Sequence, residues 1–118
     1  MPETEQEIQK LCLNYLRDNG FQCWKQPSQG LRVKGGRRAK AKGGSTVGHP
    51  DIMAIKDGNF YCIEVKKPGG KVHQLQVTWL TFAQMNGAKC MVVRSLQEMI
   101  DKLKRSPQSY DDFIDTFE

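Results

Sequence analysis

The chain has 118 residues, 38% of them hydrophobic and 26% charged, with a formal net charge of +5. That length fits one domain with its own core and leaves too little for a second. No run approaches the roughly 18 apolar residues of a membrane span, and the acidic start is the reverse of a basic-then-apolar secretory signal, so a cytoplasmic protein with no membrane partner is expected.

Taken in chain order, residues 4–19 predict a helix. Thr4 with Glu7 three later forms a capping box, Ile8, Leu11, Cys12 and Tyr15 recur at helical spacing, and Gly20 supplies the stop. Phe21 to Gln26 alternates like a short strand that Pro27 ends. Ser28 to Gly48 is rich in glycine and nearly free of large apolar residues, and it carries Arg32, Lys34, Arg37, Arg38, Lys40 and Lys42. Such a basic segment buries too little to fold alone and is expected to be flexible.

Asp51–Lys56 and Asn59–Lys67 read as two strands joined by Asp57-Gly58, a strong two-residue hairpin signal. If Lys56 faces Asn59, Asp51 falls directly across from Glu64. Alternation then places Lys66 on the face of Glu64, with Met53, Ile55, Phe60 and Cys62, while Ile52, Ala54, Tyr61, Ile63 and Val65 take the other. Both faces are apolar, so both should be covered. Pro68-Gly69-Gly70 precedes a second helix, with Val72, Leu75, Trp79, Phe82 and Ala83 as its apolar stripe and Gly87 at its end. Ala88 to Arg94 is a strand buried on both sides, reached by a βαβ crossover, and Ser95 with Glu98 opens a third helix to about Arg105. The segment 106–118 is acidic and aromatic. Its last eight residues hold Asp111, Asp112, Asp115 and Glu118 without a base, so the rest of the chain carries +9. A basic body favours a polyanionic partner such as nucleic acid, although charge alone does not select one.

Two carboxylates facing each other in a sheet repel unless a cation or proton lies between them. A hard divalent ion is the simplest remedy, since Mg²⁺ takes oxygen ligands and polarises water into a nucleophile. Lys66 is then placed to orient or deprotonate that water, or to hold a phosphate. His49 and His73 each lack a second histidine at ligand spacing, and Cys12, Cys23, Cys62 and Cys90 form no Cys-x-x-Cys pair. Zinc is not expected, and the cysteines read as buried, reduced thiols.

Gly48-His49-Pro50-Asp51 followed by Glu64-Val65-Lys66 resembles the Pro-Asp…(Asp/Glu)-x-Lys nuclease superfamily, and within it the VRR-NUC family. The likeness extends to Glu5-x-x-Ile8-Gln9, to Lys71 with Gln76 and Trp79, and to the Gly87 to Arg94 strand. The resemblance implies that Asp51, Glu64 and the Val65 carbonyl bind Mg²⁺ or Mn²⁺, that Lys66 is catalytic, and that Gln76 completes the pocket. Related enzymes often carry a first-helix Glu where Gln9 stands. Glu5, one turn earlier on the same face, is the candidate metal ligand there, with Gln9 a further site residue.

The expectation is a single α/β domain of restriction-endonuclease type, with a mixed sheet flanked by helices and the active face under the first helix. Its function would be metal-dependent endonucleolytic cleavage of DNA, of branched DNA such as four-way junctions, by a homodimer. The bases of 28–48, with Lys67 and Lys71, would contact phosphates. The alternatives are a restriction-type, single-strand or flap nuclease, and a non-catalytic nucleic-acid-binding module on the same fold.

Overall fold

The computed structural model describes residues 4–27 and 48–105, which form α1 (Glu5–Asp18), β1 (Gln22–Lys25), β2 (Ile52–Lys56), β3 (Asn59–Val65), α2 (Gln74–Met85), β4 (Lys89–Val93) and α3 (Leu96–Lys104). The basic segment 28–47 and the tail 106–118 lie outside the described residues, and with them the phosphate contacts assigned to Arg32, Lys34, Arg37, Arg38, Lys40 and Lys42.

α1 begins where its cap predicts. Thr4 Oγ1 accepts from the Glu7 N–H at 3.1 Å, and the Glu7 carboxylate accepts from the Thr4 N–H at 3.2 Å. Two otherwise unpaired helix-end donors are thereby satisfied, an arrangement worth about 1 kcal/mol. Ile8, Cys12, Leu13 and Leu16 form its buried stripe. The β2–β3 turn places Asp57 at φ 52° and Gly58 at φ 80°, the positive values a tight hairpin requires. The register runs from Lys56↔Asn59 to Ile52↔Ile63, as expected from the turn.

β2 opens one residue later than predicted, at Ile52, and β3 closes at Val65. The reason is local competition for backbone groups. Asp51 Oδ2 takes the Val65 N–H at 2.9 Å, and the Asp51 carbonyl accepts from Gln26 N–H at 2.7 Å, so pairing continues through a side chain where the main-chain ladder stops.

The sheet order is β1-β2-β3-β4, antiparallel except for the parallel β3–β4 pair that α2 connects. On one face Ile52, Ala54, Ile63, Val65, Met91 and Val93 pack against Ile8, Cys12 and Leu16 of α1 and Met99 of α3. On the other, Met53, Cys62, Cys90 and Val92 lie under α2. The alternation predicted for the hairpin is therefore correct on both faces.

The stripe predicted for α2 is correct at Val72, Trp79 and Ala83 and wrong at Leu75 and Phe82. Leu80 is its fully buried anchor, with Val72, Trp79 and Ala83 beside it, whereas Leu75 and Phe82 are 57% and 62% exposed, and Met85 is 70% exposed. α2 carries apolar residues along two stripes, and helical periodicity alone does not say which of them meets the sheet. The outer edge of β4 is occupied by side chains: Gln84 Oε1 accepts from the Cys90 N–H at 3.0 Å, and Lys102 Nζ donates to the Val92 carbonyl at 2.7 Å. None of the four cysteines is in a disulfide; Cys12, Cys62 and Cys90 are buried, Cys23 only partly. Among the described residues no helix is long and apolar enough to cross a membrane.

Candidate active site

The hairpin brings Asp51, Glu64 and Lys66 together at the end of the sheet away from its turn. Glu64 is 1% exposed, shares its face with Met53 and Cys62, and so lies on the α2 side. The expectation that the active face lies under the first helix is thus corrected. α1 covers the opposite face through Ile8, Cys12 and Leu16, and reaches the site only with its first turn. There Glu5 Oε2 accepts from the Lys67 N–H at 3.3 Å.

Glu64 Oε2 is held from two sides. Gln76 Nε2 donates to it at 2.8 Å, and Lys66 Nζ stands 3.5 Å away. Gln76 is itself locked, because its Oε1 accepts from the His73 N–H at 3.0 Å in the first turn of α2. Lys66 is buried, and its N–H donates to the Val93 carbonyl at 3.0 Å, which continues the β3–β4 pairing by one step. Val65 is fully buried and fixes the Asp51 carboxylate through its N–H.

The electrostatics follow from this packing. Burial, and then the negative charge of Asp51, push the Glu64 carboxyl up to about 8, against a smaller opposing pull from Lys66. Burial also raises Asp51 above the usual carboxylate range, and the Val65 N–H and Lys66 oppose it. Without a cation the pair therefore retains a proton near neutral pH. Glu64 Oε1 is buried and has no hydrogen-bond partner.

These features fit a hard divalent ion. Mg²⁺ needs only one or two carboxylates because it keeps several waters, and Asp51 with the orphaned Glu64 Oε1 supplies that set. Among the described residues no three His, Cys, Asp or Glu side chains converge as a metal cluster. Glu5 accepts from the Lys67 N–H, and its negative charge adds to the upward push on the Asp51 carboxyl. Gln9, one turn on, is 7% exposed, and its Oε1 is unpartnered. Lys67 and Lys71 are exposed.

Gly48 and Arg94 were not assigned roles from the sequence. Gly48, at φ 93°, packs against the Leu75 carbonyl in the first turn of α2. Arg94 Nη2 donates to the Gly70 carbonyl at 2.9 Å, tying the turn after Lys66 to the end of β4. The Gly-x-Pro-Asp spacing was a signal for the first. Nothing in the sequence linked Arg94 to Gly70, 24 residues away.

If Glu64 holds a divalent ion in a hydrolytic site, Gln76→Ala is expected to lower activity by about 10- to 100-fold, the usual effect of removing a group that orients a metal ligand. The apparent Mg²⁺ requirement should rise in parallel. An unchanged Mg²⁺ titration would mean that Gln76 does not position Glu64.

No protein-family model matches the sequence, and a comparison with curated proteins finds no significant relative. Among solved structures, one titled "VRR_NUC domain" aligns at a TM-score of 0.58 with 24% sequence identity, covering 86% of this chain and 95% of that one. The chain has the fold of a VRR_NUC domain: a mixed four-stranded sheet flanked by three helices.

Proposed function

We propose that the protein is a nuclease that hydrolyses phosphodiester bonds of DNA with Mg²⁺ or Mn²⁺. The observation that carries this reading is Glu64, a buried carboxylate beside Asp51, held through Oε2 by Gln76 and Lys66 while Oε1 is buried without a hydrogen-bond partner. A purely structural glutamate would have its second oxygen satisfied or exposed. The shared fold with a domain titled VRR_NUC supports the same reading.

In this reading Asp51 and Glu64 hold the cation, with the Val65 carbonyl as a further oxygen. The bound ion supplies charge neutralisation and acidifies water. The chain's own residues do the rest. The Val65 N–H fixes the direction of Asp51, and Gln76 fixes that of Glu64. Lys66, anchored by its backbone to Val93, presents an ammonium to a non-bridging phosphate oxygen and offsets the negative charge that grows there as water attacks in line. The O3′ leaves opposite the attacking water, giving 3′-hydroxyl and 5′-phosphate ends.

We further propose branched DNA as the substrate and a two-fold dimer as the working form in the cytoplasm. Two sites related by symmetry deliver the paired nicks a four-way junction requires. The exposed Leu75, Phe82 and Met85 on α2 support such an interface, since three large apolar side chains on one helix are surface that a partner would cover. The test is a panel of linear duplex, single strand, flap and four-way junction with Mg²⁺, Mn²⁺ or chelator, together with solution mass by light scattering. Paired nicks on the junction, lost in chelator, with a mass of two chains are expected. Equal degradation of every substrate by a monomer would keep the nuclease and remove the junction and dimer assignments. Turnover in chelator would remove the metal.

A further inference from the structure

A cavity of about 200 Å³ opens between α1 and β1, lined by Gln9, Lys10, Asn14, Arg17 and Lys25 among others. It is separate from the acid cluster, and three of its lining residues are basic while none is acidic. The ion pairs of the described residues, Lys66 with Glu64 and Lys102 with Glu98, leave Lys10, Arg17 and Lys25 out. Lys10, Asn14 and Arg17 stand at i, i+4 and i+7 on α1, so they share one face. Opposed carboxylates would ordinarily neutralise three cations gathered around one concavity.

Gln9 supplies an independent observation. It is more than nine-tenths buried, lines this cavity, and has an Oε1 with no hydrogen-bond partner. The oxygen is the closed-off end of the amide, so the end left to meet a group in the cavity is the N–H₂, which donates to an acceptor. Three cations and an amide donor select an anionic oxygen ligand, which is a phosphate.

Both walls of the cavity run to the acid cluster. Lys25 pairs with Ile52, the neighbour of Asp51, and the next residue, Gln26, donates its N–H to the Asp51 carbonyl. On α1, Glu5 touches the Lys67 N–H one turn before Gln9. With a rise of about 1.5 Å per residue, Lys10 and Arg17 lie roughly 10 Å apart along the helix, about three steps of ~3.4 Å between successive phosphates of one strand, measured along a duplex axis.

We infer that the α1–β1 cavity is a second phosphate-binding site, which holds the backbone of the DNA strand on one side of the cut. Resting on the nuclease reading above, it assigns Lys10, Arg17 and Lys25 as strand-positioning residues and gives the DNA a direction across the protein, along α1 from its first turn.

The test measures binding, not cleavage. Fluorescent duplex and four-way junction are titrated with the full chain in chelator across a series of salt concentrations. A Lys10→Ala, Arg17→Ala, Lys25→Ala variant is compared with a Lys89→Ala, Lys104→Ala, Arg105→Ala control that removes the same charge at the far side of the sheet. The first variant should bind at least about tenfold more weakly and lose about 2.7 from the slope of log K against log salt, at ~0.9 per phosphate contact. The control should lose less than one. All six residues lie on the surface or at its margin, and equal melting temperatures check that both variants fold. Equal slopes for the two variants, with wild-type protein still binding DNA, would overturn this inference and leave the nuclease reading intact. Failure of the wild-type protein to bind any DNA would overturn both. Inorganic phosphate that competes with the wild-type protein but not with the first variant would support the phosphate assignment.

Discussion

Glu64→Gln is expected to abolish cleavage, by about 10³-fold or more, while making the metal-free protein more stable at alkaline pH. The loss follows, in the proposed function, from removing one of the two carboxylates that would hold the cation. The gain follows from proton linkage. In the folded chain Glu64 titrates at about 8, against an ordinary value of 4.5, so the folded state binds the proton more tightly than the unfolded state. Its contribution is fully present below about pH 4.5 and is lost as pH rises through 8. Asp51, also raised, acts in the same direction. Wild-type melting temperature in chelator should therefore fall between pH 5 and pH 8.5, and Glu64→Gln should flatten that fall by an amount of the order of a few kcal/mol. Mg²⁺ should reverse the trend, because the ion displaces the proton, and its stabilisation should grow with pH. A wild-type melting temperature that is pH-independent in chelator, or full activity in the variant, would defeat this account.

Gly48→Ala should be the most damaging small substitution near the site. A Cβ there falls on the Leu75 carbonyl group, 2.7 Å from its carbon, and the backbone sits at φ 93°, where side chains are strained. Neither obstacle yields easily, since the obstructing atoms belong to the first turn of α2. The expected destabilisation is about 2 to 4 kcal/mol by urea unfolding. Activity should fall further than stability explains, because pushing that turn outward carries Gln76 away from Glu64. Gly69→Ala is the control. It also has positive φ, but its Cβ would meet nothing within 4 Å, so about 1 kcal/mol is expected. Equal losses in the two variants would show that strain alone, and not the approach to α2, decides the effect.

Much of this arrangement was legible because it rests on local rules. Thr4 and Glu7 state the start of α1, and Asp57-Gly58 states both the turn and its register. The two inner faces of the hairpin then follow by alternation. The placement of Glu64 beneath α2 did not follow, since alternation separates two faces without saying which helix covers each. The choice depends on the crossover that seats Leu80, and not Leu75 or Phe82, against Met53 and Cys62. Gln76 was named from resemblance alone. Its double role, to His73 and to Glu64, exists only once the loop before α2 has closed. Gln9 and Glu5 illustrate the same limit: helical spacing put them on one face, but the fold gave one a backbone partner and the other a basic cavity.

The side chains that close the edge of β4 constrain how copies of this protein can meet. With the Cys90 N–H and Val92 carbonyl already engaged by Gln84 and Lys102, that border is a poorer template for an incoming strand, the route by which small sheets run into fibrils and swapped assemblies. A proposed pair that meets through helix surfaces would be self-limiting and would leave the acid cluster of each copy open.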